Sequence, residues 1–301
     1  MPGIYKEAWS REMQKYVSTA EMGTFLDGLP DYSKYVSAVG DEHQVIHLSV
    51  MNVMPDVLTN NTTYPIAVQD LPIEDIPITL NKHQTKATPI TDDELYAASP
   101  DKMKNVVLRH GKAVTIRKIS MGAHALGPSG PTDDMPVLFA TGPDDGTGRK
   151  RLTWEDIEDL KREFDTRVWQ ESGRRITLSA EHENDLIKID KDFKAAFYNR
   201  ATGKPYNQLG FDFYSYVQNP YYDVATKAKL SYGGEPVTHR RGTIAFIEDY
   251  TAKVDGWMKA YLSKAGTDPL YQRNLYNVRH HYIVLPTQEL YRGAIVSPNA
   301  E

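Results

Sequence analysis

The stretch DIPITLNKHQTKATPITDDEL, Asp75 to Leu95, constrains the fold more than any other part of the chain. Ile76, Ile78 and Leu80 alternate, as do Thr85, Ala87 and Pro89 opposite Lys86, Thr88 and Ile90. That period of two predicts a pair of strands around NKHQ. Pro77 and Pro89 each remove a ladder donor, which confines both strands to edges. A two-stranded ribbon is marginal alone in water. It has to lie on something, either the body of its own chain or a neighbouring copy.

At 301 residues the chain has room for one large core or two smaller ones. An apolar content of 40% and a charged content of 25% fit a soluble folded protein. No apolar run approaches the roughly 18 residues of a membrane span. The first residues, MPGIYKEAWSREMQKYV, lack the layout of a secretory signal, so synthesis in the cytosol is expected. The lack of cysteine removes disulfides, thiolate catalysis and cysteine-based zinc sites together. With 35 basic and 40 acidic residues the net charge is −5, which argues against a sequence-reading nucleic-acid binder. Tyrosines number 19 against 8 phenylalanines, a balance that suits interfaces as well as cores.

Residues 1–64 read as an arm, with a short amphipathic helix from Tyr5 to Val17 and then the turn-rich runs LDGLPDYSKY and LTNNTTYP. Such a segment buries too little to order itself and needs another surface. After the ribbon, Ser99, Pro100 and Asp101 mark a helix start. The helix runs about 25 residues, roughly 38 Å, to the breaker AHALGPSGP, with Met103, Val107, Val114 and Met121 as its stripe and Val106 and Ala113 beside it. In LTWEDIEDLKREFDTRV, Thr153 and Asp156 form a capping box and Leu152 with Ile157 a hydrophobic staple. Trp154, Ile157, Leu160, Phe164 and Val168 make that helix's buried stripe. RRITLSA predicts a strand, and Ser179 caps a following helix with Leu186, Ile189, Phe193 and Phe197 inward. GFDFYSYVQ is a strand with Phe211 and Phe213 on one face. GTIAFIEDYTAKVDGWMKAYL is expected to begin as a strand and end as a helix, and LYNVRHHYIVLP and ELYRGAIV add two strands joined by a turn near Pro286.

Motifs that carry chemistry are weak. TGPDDGTGRKR lacks the Gly-Lys-Ser/Thr ending of a phosphate loop and reads as a solvated loop. His43 and His47 have helical ligand spacing, but Gln44 stands where a zincin needs glutamate, and QVIHLSV favours a strand. His182, Glu183 and Asp185 open a helix, where acids answer the helix dipole. His280 and His281 are neighbours in a strand and point to opposite faces. There is no Gly-x-Ser-x-Gly elbow, and Asp133/Asp134 and Asp144/Asp145 sit in polar loops where nothing desolvates a catalytic acid.

The order of arm, ribbon, long helix, Gly/Pro break, α/β body and closing strands resembles the major capsid proteins of tailed double-stranded DNA bacteriophages, the Hong Kong ninety-seven fold also used by encapsulin shells. DIPITLNKHQTKATPITDDELYAASPDK is similar to that family's extended loop entering its spine helix, and VRHGKAVTIRKISMGAHALGP to the end of that helix. RLTWEDIEDLKREFDTRVWQESGRRITLSAEHENDLI resembles the start of its axial domain; GFDFYSY and AFIEDYTAKVDGW resemble later parts. The resemblance implies an α+β fold: arm 1–64, extended β-hairpin loop 65–98, peripheral domain with spine helix 99–134, mixed α/β axial domain 135–272 and closing peripheral strands 273–301. It implies a loop lying across the adjacent subunit, with Ile78, Leu80, Lys82, His83, Gln84 and Thr85 as intersubunit contacts and Lys82 at the tip.

The implied function is structural, not enzymatic: pentamers and hexamers of one chain building an icosahedral shell around a double-stranded DNA genome. No cofactor, metal ion or catalytic residue is implied. Expected partners are further copies of the chain, a portal, decoration proteins and a separate scaffolding protein, since no room exists here for a scaffolding segment before the arm. Contact with packaged DNA is expected to be weak and non-specific, with no membrane. The implied location is the virion, after synthesis in the bacterial host cytoplasm. Two alternatives stand beside it: an encapsulin-like shell around a cargo enzyme, and a soluble α/β hydrolase whose carboxylates or histidines meet only in the fold.

Overall fold

The computed structural model describes residues 17, 21, 24–39, 43–50, 55–70, 74–91, 101–167, 170–198, 206–263, 266, 270–288 and 291–300. The helix expected at Tyr5–Val17 and the cap at Ser99 and Pro100 lie outside them, Val17 apart.

Three short strands come first: β1 (Ser37–Val39), β2 (His43–Val50) and β3 (Glu74–Thr79). They form an antiparallel sheet in that order, with Val45 opposite Thr79 and Val50 opposite Glu74. The long hairpin is therefore β2–β3. The expected pairing of the run Ile76 to Leu80 with the run Thr85 to Ile90 around a turn at NKHQ does not form: NKHQ is itself a strand, β4 (Asn81–Gln84), followed by β5 (Thr88–Thr91). Both add instead to one much later strand. The reason lies at Leu80, which is buried with Ile46, Ala252 and Val254. Sinking this one apolar side chain turns the backbone out of the hairpin sheet and into the body. The proline argument holds: β3, with Pro77, is the outer strand of its sheet, and β5, with Pro89, pairs on one side only.

The long helix α1 (Asp101–Leu126) stops at Gly127, as the breaker predicts. Val107 and Val114 are buried as expected, but Ala113 is exposed and the contact face also carries His110, Thr115 and Lys118. β6 (Val137–Phe139) follows, then α2 (Trp154–Arg167), β7 (Arg174–Leu178), α3 (Ala180–Ile189) and α4 (Lys191–Tyr198). The capping box forms: Thr153 N–H donates to Asp156 Oδ2 (2.8 Å), and Asp156 N–H returns to Thr153 Oγ1 (3.4 Å). The single helix expected after Ser179 is two. Asp190 leaves the helical conformation, and its carboxylate accepts from Phe193 N–H (3.1 Å), capping α4. Leu186 and Phe193 stay inward, whereas Ile189 beside the break faces solvent.

The remaining strands are β8 (Tyr206–Gln208), β9 (Phe211–Ser215), β10 (Tyr221–Asp223), β11 (His239–Arg241), β12 (Thr243–Ile247), β13 (Thr251–Ser263), β14 (Arg273–Pro286) and β15 (Arg292–Val296). Residues 251–263, expected to become helical, are a strand. Thr251, Val254, Trp257 and Tyr261 favour extended backbone, and pairing from Thr251–Pro286 to Ser263–Leu275 outweighs the helical period. A bulge between Asp255 and Met258 absorbs Gly256.

Two larger sheets result. One has the order β13–β14–β4, with β5 also on β14; the other is mixed, in the order β6–β15–β12–β7–β9–β8. Helices α2, α3 and α4 cover one face of the six-stranded sheet, around Leu160, Phe164, Phe193 and Phe213. On its other face lie Phe25, Leu26 and the end of α1 with Ile119, Ala123 and Leu126. The first half of α1 packs through Val107 on Met258, Tyr276 and Val278 of the other sheet. One helix thus spans both. The two strands after residue 272 are divided between sheets, β14 in one and β15 in the other.

At Gly293 an added Cβ would come within 2.8 Å of Phe164 and 3.0 Å of Leu160, so α2 sits directly on the sheet backbone. Phe164→Ala is expected to destabilise the protein by about 3–5 kcal/mol in urea unfolding. A loss under about 1 kcal/mol would place the organising core elsewhere.

Candidate assembly surface

The feature that stands apart from the body is the β2–β3 hairpin. Its base is fixed: Ile46 is fully buried against Leu80, Ala252 and Val254. Its tip is not covered by its own chain. Val57 is 88% exposed and Val68 98%, with Leu58, Tyr64 and Ile66 also largely in solvent. Among the described residues the tip closes on itself through polar groups. Asp56 N–H donates to Gln69 Oε1 (2.7 Å), and Asn61 makes two short bonds to Thr63. Five apolar side chains presented on such a loop form the kind of patch that marks an interaction surface.

The expected contact residues fall elsewhere. Ile78 lies in β3 opposite Ile46, and Leu80 is 4% exposed in the core. Lys82, His83 and Gln84 lie in β4, opposite His281, His280 and Arg279 of β14. Thr85 N–H donates to Val278 O (3.0 Å), and its hydroxyl meets His110 Nδ1 at 2.7 Å. Lys82 is therefore not at a loop tip. β4 is the outermost strand of its sheet, with Asn81, Lys82 and Gln84 exposed. The tip itself went unrecognised. The only signal for it was isolated Val57, Leu58, Ile66 and Val68 in a run too polar to order itself.

A buried charge cluster braces the base of the hairpin. Lys118, 2% exposed, reaches Asp255 at 2.7 and 2.9 Å, pairs with Glu21, and lies 4.2 Å over the Tyr282 ring. Lys253 adds a longer contact to Glu21, and His280 Nε2 lies 3.3 Å from Asp255. Burial pushes the Asp255 carboxyl up, but the His280 hydrogen bond and the Lys118 ammonium prevail and hold it at about 2. Asp255 N–H donates to Ser33 Oγ (2.8 Å), and Tyr32 N–H to Lys253 O (3.0 Å). These tie the segment entering the hairpin to β13. His83 faces His280 across β4–β14, and burial, then the His280 charge, lowers its pKa.

His182, Asp185 and Arg149 do more than answer a helix dipole or line a solvated loop. Arg149 and Asp185 form a two-pronged buried ion pair at 2.7 and 2.8 Å. His182 is fully buried between Thr243 Oγ1 (2.7 Å) and Ser297 Oγ (2.8 Å). A histidine on a serine suggests a nucleophile, but Ser297 is sealed from solvent and the carboxylate is taken by Arg149. The arrangement locks residues 149–152 and 297 onto α3. Among the described residues no His/Cys/Asp/Glu group is arranged to hold a metal ion, and no helix is long and apolar enough to cross a membrane.

No protein-family model and no curated protein matches the sequence. Solved structures do match. The capsid of Ralstonia phage GP4 aligns over 91% of this chain and 87% of its own at 9% identity, with a TM-score of 0.58. The capsid of the cyanophage P-SCSP1u aligns over 85% and 84% at 14% identity, TM-score 0.55. A virus-like particle from Pyrococcus furiosus aligns over 97% and 99% at 9% identity, TM-score 0.51. The fold is that of phage capsid subunits, a mixed α+β architecture extending over nearly the whole chain.

Two measurements test the polar clusters. Lys118→Met keeps the aliphatic stem but strands Glu21 and Asp255, and is expected to cost on the order of 3 kcal/mol; an unchanged urea midpoint would rule out the clamp. Burial, followed by the Arg149 charge, lowers His182 from 6.5 to about 3. Its folded pKa lies below the unfolded one, so the unfolded chain takes up the proton first. Stability should then fall as pH drops from about 6.5, by up to about 1.4 kcal/mol per pH unit. His182→Gln should flatten that slope, and an equal slope in the variant would remove His182 from the effect.

Proposed function

We propose that this chain is a major capsid protein, assembling as pentamers and hexamers into an icosahedral shell that encloses a double-stranded DNA genome. The observation that carries the reading is a capsid-subunit fold over nearly the full length, joined to a hairpin whose apolar tip has no support on its own chain. An apolar loop of that kind is a liability to a monomer and an asset to a lattice, where each copy supplies the surface the next one lacks. The role is structural and not enzymatic.

In this reading the tip residues Val57, Leu58, Tyr64, Ile66 and Val68 rest on an adjacent subunit. The open edge of β4, with Asn81, Lys82 and Gln84, provides a further intersubunit contact. Ile78, Leu80, His83 and Thr85 contribute by holding β3 and β4 in place. A separate scaffolding protein, a portal and decoration proteins complete the partners, and contact with packaged DNA is weak. The protein resides in the virion after synthesis in the bacterial host cytoplasm. The second reading is an encapsulin-like shell of the same fold around a cargo enzyme; the virus-like particle from Pyrococcus furiosus, aligned over 97% of this chain, is compatible with either.

Negative-stain electron microscopy of the purified full-length chain, with and without a candidate scaffold, is expected to give closed shells or five- and six-membered rings. Ile66→Ser with Val68→Ser should keep the melting temperature and lose assembly. A chain that stays monomeric with scaffold present, or shells unaffected by the double substitution, would count against the lattice and the hairpin's part in it respectively. DNA within shells from the native source, against a packed protein, separates the two readings.

A further inference from the structure

A cleft beside α1 lies apart from the hairpin. Arg117, Ser120 and His124 line it from the helix, the residues around Tyr221 and Tyr232 form its walls, and Arg241 borders it. It encloses about 210 Å³. The wall is fastened to the helix at three points. Ser120 Oγ lies 3.0 Å from the Tyr232 hydroxyl, His124 Nε2 2.9 Å from Leu230 O, and the His124 and Tyr232 rings meet edge to face at 5.3 Å. The opening is therefore a built feature of the fold.

Its charge is one-sided. Arg117 lies 4.2 Å over the Tyr232 ring and Arg241 4.4 Å over the Tyr221 ring. A guanidinium held over a ring keeps N–H donors that an anion can use. Arg241 uses one of these on Asn219 O (3.0 Å). Among the described residues no acidic side chain lines the cleft, and neither arginine makes an ion pair. Elsewhere Lys118, Arg149, Arg174 and Arg175 meet carboxylates, and Arg240 is taken up by the carbonyls of Ser297, Pro298 and Gly148. In a chain of net charge −5, two guanidiniums without a carboxylate partner face one opening.

We infer that this cleft binds a phosphate group, with Arg117 and Arg241 gripping its oxygens and the Ser120 and Tyr232 hydroxyls beside them. Planar guanidinium forks match oxyanions in pairs of parallel hydrogen bonds, and two forks offer more donors than the two oxygens of a carboxylate absorb. The phosphate comes either as a free small anion or as part of a nucleic-acid backbone; the recognition chemistry is the same. The inference does not rest on the shell reading, because it concerns the single subunit and stands or falls without assembly.

The experiment is calorimetric titration of the full-length chain at low salt with inorganic phosphate, pyrophosphate and a short single-stranded oligonucleotide. One saturable site is expected for at least one probe. Arg117→Gln should weaken it at least about tenfold, the loss of one charge-assisted contact, without moving the melting temperature. Adding Arg241→Gln should abolish it. Saturation by phosphate or pyrophosphate alone assigns a small-anion site; saturation by the oligonucleotide alone assigns a backbone phosphate. No saturable binding of any probe, or binding unchanged in Arg117→Gln, overturns the proposal. Arg117 is exposed and held by stacking, so that variant decides the matter even if Arg241→Gln misfolds.

Discussion

Much of the molecule depends on where the ammonium of Lys118 goes. At 2% exposure it has left water, and a lone buried cation is too costly to keep. It is kept because Glu21, Asp255 and the face of Tyr282 surround it. Those partners come from three separate parts of the chain, the segment before the hairpin, β13 and β14, while Lys118 itself sits on a fourth, α1. Satisfying one charge therefore fixes the mutual position of all four. The rim of the same cluster, through Ser33 and Lys253, also fixes where the hairpin leaves the body.

The helix that carries Lys118 is shared property. Its first half packs on the four-stranded sheet through Val107, and its last turns pack on the six-stranded sheet through Ile119, Ala123 and Leu126. Gly122 lets Leu26 approach to where a Cβ would lie 3.2 Å away, so the segment before the hairpin closes against the same helix. A projecting loop transmits force only as well as its base resists it. Here the base is a helix held between two sheets and pinned by a buried ion pair, a rigid mount for the exposed apolar tip.

Sequence periodicity revealed what depends on local chemistry. The capping box of α2, the breaker after α1, the Ser179 cap and the alternation of β9 all follow from residues a few positions apart. What it missed depends on distant partners. Residues 251–263 carry apolar spacing compatible with a helix, and only the presence of β14 makes them a strand. NKHQ reads as a turn between two alternating runs, and nothing local says that it is itself a strand whose partner lies near residue 280. At the candidate surface, the need of a polar arm for outside support was legible. The specific tip was not, because a solitary exposed valine looks the same in sequence whether it is idle or waiting for a partner. Arg149, Lys118 and Asp255 gave no signal of burial at all.

The position of β14 and β15 in the chain bears on timing. β14 sits between β13 and the pair β4 and β5; β15 sits between β6 and β12. Both sheets thus lack an interior strand until residues 273–296 have been made, and those strands close loops of more than a hundred residues back to β4, β5 and β6. Such closures are late events in folding, and a vectorially synthesised chain cannot anticipate them. The ledge on which β4 lies, the partner of β13 and half of the clamp around Lys118 all arrive together. A nascent chain stays unfinished until that moment, so a chain cut short before residue 273 lacks the interior strand of both sheets.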